Sequence, residues 1–403
     1  MLMPHPLRRG AAIVGSGESD EIGFIEGKSS LELHAEAVSN AVEDAGVRWE
    51  EIDGIFATGG SGRFPAAALA EYLGIRPRYM DSTQMGGSSF LFFVHHALAA
   101  IAGGEIEVAV ISHGECGFSG PRRGGRGTGG AHQFDPWDPG ELYERLYGAW
   151  GAPAFYAHAM NRYMHRFGAT REDFARIAVV TREWATLNPR AVMHSKQTHP
   201  YGGPIDVETV LGSRMIAWPL SLLDCCLVTD HGAAVVLTTP ERARSLRHRP
   251  VWIEGAGEAL SHMNMSQMED FTATSARDSA ARAYSMAGMG PGEMEMAMIY
   301  DSFTYTAAVT AEMLGLTPRG EGASLWAGDD ARPGGRFPVN TNGGGLSFSH
   351  SGMYGMMLLV EAQRQLARSA VGLPGRQVEA RSAVVNGTGG SLSTTATLVL
   401  TAD

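Results

Sequence analysis

The stretch from Asn340 to Gly355 places a single histidine, His350, between a run of glycines and an apolar helical segment. Gly343, Gly344 and Gly345 let a backbone turn tightly and approach a ligand without interference from a Cβ. Imidazole changes charge near neutral pH, so a histidine presented by such a turn suits proton transfer. On this reading Gly344 is ligand-facing backbone, and Tyr354 either packs the following helix or lines the pocket. Ser88 and Ser89 follow a second glycine turn, Gly86-Gly87, and precede the apolar run from Phe90 to Ile101. They suit a helix cap and are also candidates for substrate contact. The three cysteines are Cys116, Cys225 and Cys226, with no CxxC pair. Adjacent cysteines are poorly placed to bridge each other, so neither a disulfide framework nor a metal site is expected. A reducing cytoplasm is the simplest location.

The frame that presents these residues is large. A chain of 403 residues exceeds one small core, and two domains is the natural expectation. The net charge of −11 argues against a nucleic-acid protein, while leaving room for an anionic small ligand in a local pocket. No apolar run reaches bilayer-spanning length. The first ten residues carry Arg8 and Arg9 without an apolar core behind them, so no signal peptide is expected.

Ala11 to Gly17 reads as a short buried strand closing on Gly15 and Gly17. A third glycine at dinucleotide-fingerprint spacing is missing, which argues against nucleotide binding there. The apolar spacing from Ser30 to Ala45 predicts an amphipathic helix with Ser29 or Ser30 as N-cap and Gly46 as C-cap. A strand follows at Ile52 to Thr58, a glycine-rich turn at Gly59 to Gly62, and a helix from Phe64 to Leu73. Tyr79 to Ser82 and Glu107 to Ser112 read as further strands. Gly114 to Gly130 is crowded with glycine and arginine and predicts an exposed loop. Glu141 to Trp184 reads as helical, Asn188 to Pro204 as a polar loop, and Pro219 to Thr239 as strand-like.

The second half repeats the first. Ala45 to Asp53 ends a helix and introduces a strand, and Ala287 to Glu295 does the same. In both halves a strand and a helix come before, Val251 to Gly257 taking the first strand's part in the second. A glycine turn leads into an apolar helix later in each, at Gly86 to Ile101 and at Gly343 to Leu366. Strand-like runs, Ala233 to Thr239 and Thr394 to Thr401, close the two halves. This predicts a duplicated α/β unit packed into one body.

The motifs on that unit resemble the thiolase superfamily over nearly the whole chain. Asn342-Gly343-Gly344 through His350 and Gly352 resembles the thiolase turn that carries a glycine-histidine-proline segment, with Ser351 where proline is usual. Leu223 to Asp230 resembles the segment before the central strand of the sterol-carrier, lipid-transfer-protein branch. Tyr300-Asp301-Ser302-Phe303 resembles that branch's histidine-aspartate-cysteine-phenylalanine motif. Asn386 to Gly390 resembles the turn carrying the second thiolase cysteine. The resemblance implies two βαβαβαββ-type halves, residues 1–245 and 246–403, layered α-β-α-β-α, with a loop and helix insertion at about 114–218. It also implies a CoA thioester as substrate with no bound cofactor, a homodimer, and a small OB-fold, zinc-ribbon partner.

Both catalytic cysteines of the family are missing. The turn from Ser82 to Ser89 has none, and Asn386 or Gly387 stands at the second position, so no acyl-cysteine is expected at the usual site. What remains suits a reaction that needs an enolate but no covalent intermediate, such as retro-aldol cleavage of a β-hydroxyacyl-CoA. His350 would then donate to the enolate oxygen. Steroid side-chain aldolases of the superfamily share a tyrosine-aspartate pair like Tyr300-Asp301, which implies Tyr300 for proton transfer at the hydroxyl; they carry tyrosine where this chain has His350. Asn386 would serve as an amide donor or simply occupy its turn, and Gly389 would face substrate. The alternatives are acyl transfer or Claisen chemistry through Ser88 or Ser89, and a non-catalytic acyl-CoA-binding or scaffold subunit.

Overall fold

The computed structural model describes residues 5–60, 62–122 and 137–403. Of the glycine-arginine loop expected from Gly114 to Gly130, residues 123–130 lie outside the described residues, as does Ser61 of the glycine turn. The part before them is not loop throughout, since a buried strand runs on to Cys116 and Ser119–Arg122 form a helical turn.

Among the described residues, nine strands form one mixed sheet. The first repeat supplies β1 (Ala12–Glu18), β2 (Gly54–Gly59), β3 (Tyr79–Asp81), β4 (Val108–Cys116) and, after a small hairpin of β5 (Met215–Ala217) and β6 (Leu220–Ser221), β7 (Asp230–Thr238). The second supplies β8 (Val251–Leu260), β9 (Met296–Ile299), β10 (Ser382–Gly389) and β11 (Thr394–Thr401). Their order is β3-β2-β4-β7-β1-β8-β11-β10-β9. The two repeats meet where β1 pairs with β8, through Ala12–Trp252 and Ile13–Val251. Every residue of β1, β4, β7 and β10 is buried. Strands covered on both faces need continuous apolar sequence, and runs such as Ala234 to Leu237 supply it.

Helices fill three layers around that sheet. Ser89–Ala102 packs on β2 and β4 on one side and on β10 and β11 on the other, and Gly355–Leu366 likewise bridges β1 and β7 to β9 and β10. Ser30–Ala45 covers the outer face of the first repeat, and Ala276–Ala287 that of the second. The result is an α-β-α-β-α stack, the duplicated thiolase fold. The sequence echo has a direct structural counterpart. Both outer helices end on a left-handed glycine, Gly46 or Gly288, and pass through a 3-10 turn, Trp49–Glu51 or Pro291–Glu293, into β2 or β9.

Gly15 and Gly17 serve packing. A Cβ at Gly15 would lie 2.6 Å from the Ala45 nitrogen, and one at Gly17 2.8 Å from the Asn40 carbonyl carbon, so both let β1 and the outer helix approach closely. The helical region expected from Glu141 to Trp184 is divided: a short Pro139–Tyr143 turn precedes Gly151–Phe167 and Arg171–Leu187, separated at the left-handed Gly168. In the region expected to be strand-like from Pro219, only β7 joins the main sheet, and Leu222–Asp224 is a 3-10 turn. No helix of the described residues is long and apolar enough to cross a membrane.

Candidate active site

The glycine turn is built from both repeats and from the helical insertion. Asn340, at a left-handed φ of 52°, stitches it to β9, accepting from the Ile299 amide at 2.8 Å and donating to the Ile299 carbonyl at 2.8 Å. Gly344–Phe348 then form one π-helical turn, closed by the Phe348 amide on the Gly343 carbonyl at 3.0 Å. A π turn at this point is a frequent mark of a functional site. The insertion clamps it. Arg182, almost wholly buried, donates to Ser347 Oγ at 2.8 Å, the Val192 and Met193 amides reach the Phe348 and Ser347 carbonyls, and Asn188 donates to the Asn342 carbonyl at 2.9 Å.

Asp301 holds the turn from the other side. Its carboxylate, wholly buried, accepts from the Gly345 amide at 2.6 Å and the Leu346 amide at 3.4 Å. Burial pushes its pKa up to about 7, and those two amides pull the other way. Asp301 is therefore a positioning residue for the backbone that carries His350.

The central observation is a pair. The Tyr300 hydroxyl and His350 Nε2 are 2.9 Å apart, with their rings edge-on. The Tyr354 amide donates to the Tyr300 oxygen at 3.1 Å. A phenol is the stronger acid and a neutral imidazole nitrogen the better acceptor, so the contact is assigned as Tyr300 donating to His350 Nε2, with the His350 ring proton on Nδ1. Burial lowers the His350 pKa to about 4 and raises that of Tyr300 well above its ordinary value. At neutral pH the pair is thus uncharged, with its proton on oxygen.

Tyr300 and His350 face a cleft of about 670 Å³. Its walls also include Gln84, Cys226, Met263, Gly389 and, from the insertion, Tyr156. The turn at the start of the Ser89–Ala102 helix brings no nucleophile here. Instead the ring of Tyr300 lies against Gly87, where a Cβ would stand 2.7 Å from the Thr388 carbonyl oxygen and 2.7 Å from Tyr300 Cζ.

Other residues singled out in the sequence are placed elsewhere. Ser88 Oγ is bonded to the Met85 carbonyl at 2.7 Å and to Thr394, and Ser89 Oγ accepts from the Met85 amide at 2.7 Å, so both brace the turn rather than face substrate. Neither makes the N-terminal cap hydrogen bond expected of them. Asn386 is wholly buried in the sheet; its side chain donates to Thr395, Ala396 and Thr397, and its carbonyl accepts the Tyr300 amide at 3.0 Å. It sets the position of Tyr300 instead of reaching the cleft. Gly344 packs on Asp301 and Thr181. Tyr354 is wholly buried, its hydroxyl on Asn342 Oδ1 at 3.0 Å, and it serves the site through its backbone amide. Burial raises the Cys225 thiol to about 12 and lifts Cys226 as well, which keeps both protonated at neutral pH. Tyr156 was missed because its helix lies about 140 residues from Tyr300 in sequence and matches no motif.

His95 and His96, within the Ser89–Ala102 helix, are partly exposed partners of Glu258 and Asp81 at 2.8 and 2.6 Å. The buried histidines among the described residues are His34, His113, His231, His262 and His350. Burial lowers His34 to about 3 and His231 to about 4, and holds His113 well below its usual value. A histidine depressed in the folded state contributes stability that is complete above its unfolded pKa of about 6.5 and lost as pH falls toward the folded value. Asp301, raised in the folded state, has the opposite sign: its contribution is present below about 4 and lost as pH rises through about 7. The lowered histidines, His262 and His199 among them, outnumber the raised groups Asp301, Asp224 and His96. Urea midpoints should therefore fall steadily from pH 6.5 to pH 4.5, with a net uptake of protons on unfolding. A flat profile over that window would contradict the buried neutral histidines.

Comparison with known proteins agrees with this architecture. Residues 257–402 match the family model for the thiolase C-terminal domain. The chain is 34% identical to a 17-hydroxy-3-oxo-4-pregnene-20-carboxyl-CoA lyase of Mycobacterium tuberculosis, over 90% of this chain and 92% of the relative. It is also 34% identical to a steroid side-chain-cleaving aldolase of Thermomonospora curvata, over 91% and 92%. Among solved structures, an Ltp2-ChsH2(DUF35) aldolase superposes with a TM-score of 0.86 at 30% identity, covering 98% of this chain and 99% of that one. Duplicated fold, glycine-histidine turn and whole-length relatives converge: the chain is an enzyme that belongs to the thiolase superfamily.

Proposed function

We propose that the protein cleaves a β-hydroxyacyl-CoA thioester by a retro-aldol reaction without a covalent intermediate. The observation that carries this reading is the Tyr300–His350 hydrogen bond in a cleft whose usual nucleophile positions are empty of cysteine. The β-hydroxyl gives its proton to the Tyr300 oxygen as the phenol passes its own proton to His350 Nε2. The Cα–Cβ bond breaks, a ketone or aldehyde leaves, and the electron pair moves onto the thioester oxygen as an enolate. Return of the proton from His350 through Tyr300 to the α-carbon completes a shortened acyl-CoA. Neither residue alone suffices. The phenol is too weakly acidic to stand ionised, and the imidazole reaches the substrate only through it. Pairing the two lets a neutral group act as base. Because Nε2 is engaged by Tyr300, His350 is a relay in this scheme and not the donor to the enolate. The names of the aldolase and lyase relatives support the same reaction class.

The reading includes a CoA thioester as substrate with no bound cofactor, a cytoplasmic location, a homodimer and a small OB-fold, zinc-ribbon partner. Strand β3 supports the dimer: it is three residues long, lies at the sheet edge, and exposes Tyr79 and Met80 beside Tyr72 and Phe64. The partner is supported by the second component named in the similar aldolase structure. It is further supported by exposed Tyr143, Leu146, Tyr147 and Trp150, which lead into the helix carrying Ala152 and Tyr156 at the cleft.

Incubation with β-hydroxyacyl-CoA and ketoacyl-CoA panels, with and without an OB-fold partner, tests this directly. A ketone and a shortened acyl-CoA should form from the hydroxyacyl substrates. Thiolysis of ketoacyl-CoA through an acyl-serine adduct, seen by intact mass, would sink the reading.

A further inference from the structure

The enolate needs a hydrogen-bond donor, and the His350 nitrogen that faces the cleft is taken. The structure offers a second phenol in the same cleft. Tyr156, on the Gly151–Phe167 helix of the insertion, is 3% exposed and is held by a ring contact with Phe303 at a centroid distance of 4.4 Å. Ser302 lines the same cleft, and the Tyr156 hydroxyl donates to the Gly390 carbonyl at 3.3 Å. That is long for an O–H···O bond, whose usual range is about 2.5–3.0 Å. Tyr156 therefore holds a weakly committed donor in the wall of the cleft that Tyr300 and His350 face.

We infer that Tyr156 is a further catalytic residue, donating its hydroxyl proton in a hydrogen bond to the thioester oxygen as that oxygen gains charge, with Ser302 positioning it. Burial keeps the phenol protonated for this task, its pKa pushed up to about 12. The proton is shared with the enolate and not transferred, so the group is unchanged at the end of turnover. This role rests on the proposed thioester substrate but not on which carbon–carbon bond is cleaved, because any reaction through the α-carbanion of an acyl-CoA charges the same oxygen. Donors of this type strengthen as charge develops, and removing one typically costs about 10²–10³ in rate.

The test is deuterium wash-in at the α-carbon of a saturated acyl-CoA in heavy water, followed by mass spectrometry beside the cleavage assay. Tyr156→Phe should slow both exchange and cleavage by about 10²-fold or more, with KM changed by less than about threefold and the melting temperature unmoved. Ser302→Ala, which keeps the phenol but frees it, should give a smaller loss in the same two assays. Exchange by Tyr156→Phe at the wild-type rate would overturn the inference, as would a wild-type enzyme that exchanges no acyl-CoA α-proton. Exchange that depends on Tyr156, without cleavage of any β-hydroxyacyl-CoA, would instead remove the retro-aldol reading and leave Tyr156 standing.

Discussion

Tyr300→Phe is expected to lower turnover of a β-hydroxyacyl-CoA by about 10³-fold, within the range of general acid–base effects. The substitution deletes one oxygen. That oxygen receives the Tyr354 amide at 3.1 Å and stands 2.9 Å from His350 Nε2, so it is the meeting point of the site. The ring remains packed against Gly87, and folding should survive. A loss of this size corresponds to about 4 kcal/mol of barrier. His350→Gln supplies the control, because an amide accepts the phenol's hydrogen bond but cannot take its proton. It should lose nearly as much activity. The double variant should be no worse than either single one, since two members of one relay fail together. Full additivity of the two losses would show that the residues act independently. Acid inactivation offers a second readout: with His350 held near 4, the relay itself should stay competent well below pH 6.5.

The second large effect belongs to a residue with no side chain. Gly87→Ala is expected to reduce activity by about 10²-fold, the scale attached to displacing a reacting group by about an ångström. A Cβ at this position would stand 2.7 Å from Tyr300 Cζ and 2.7 Å from the Thr388 carbonyl oxygen, so either the phenol or β10 must move. Strain of this kind costs about 1–3 kcal/mol of stability in a close-packed interior. Gly212→Ala is the matching control, because nothing lies within 4 Å of the added carbon and the backbone is not left-handed. Wild-type kinetics in Gly87→Ala would mean that Tyr300 need not occupy the place it does. The same contact explains why this turn has room for no nucleophilic side chain at Gly87.

Much of the architecture was legible in the linear sequence. Helix Ser30–Ala45, its glycine cap and the strand after it follow from periodicity and turn chemistry, which act over a few residues. The echo at Ala287 to Glu295 revealed the duplication for the same reason: both copies must end a helix and start a strand at equal spacing. Strand-like composition after Pro219 misled, because the insertion's loops compete with the sheet for that segment and only β7 reaches it.

For the site, sequence alone determined which groups are available: a histidine on a glycine turn, a tyrosine before an aspartate, and no cysteine in either catalytic turn. Tertiary structure decided what each one does. Tyr300 and His350 lie 50 residues apart and meet only because β9 and the turn are stitched together by Asn340. Asn386, Ser88 and Ser89 are turned inward by hydrogen bonds that local sequence does not encode. Tyr156 joins the cleft only when the insertion folds back over the sheet. Burial then sets the proton on oxygen and keeps the imidazole neutral, since desolvation depends on what surrounds a residue in space and not on its neighbours along the chain.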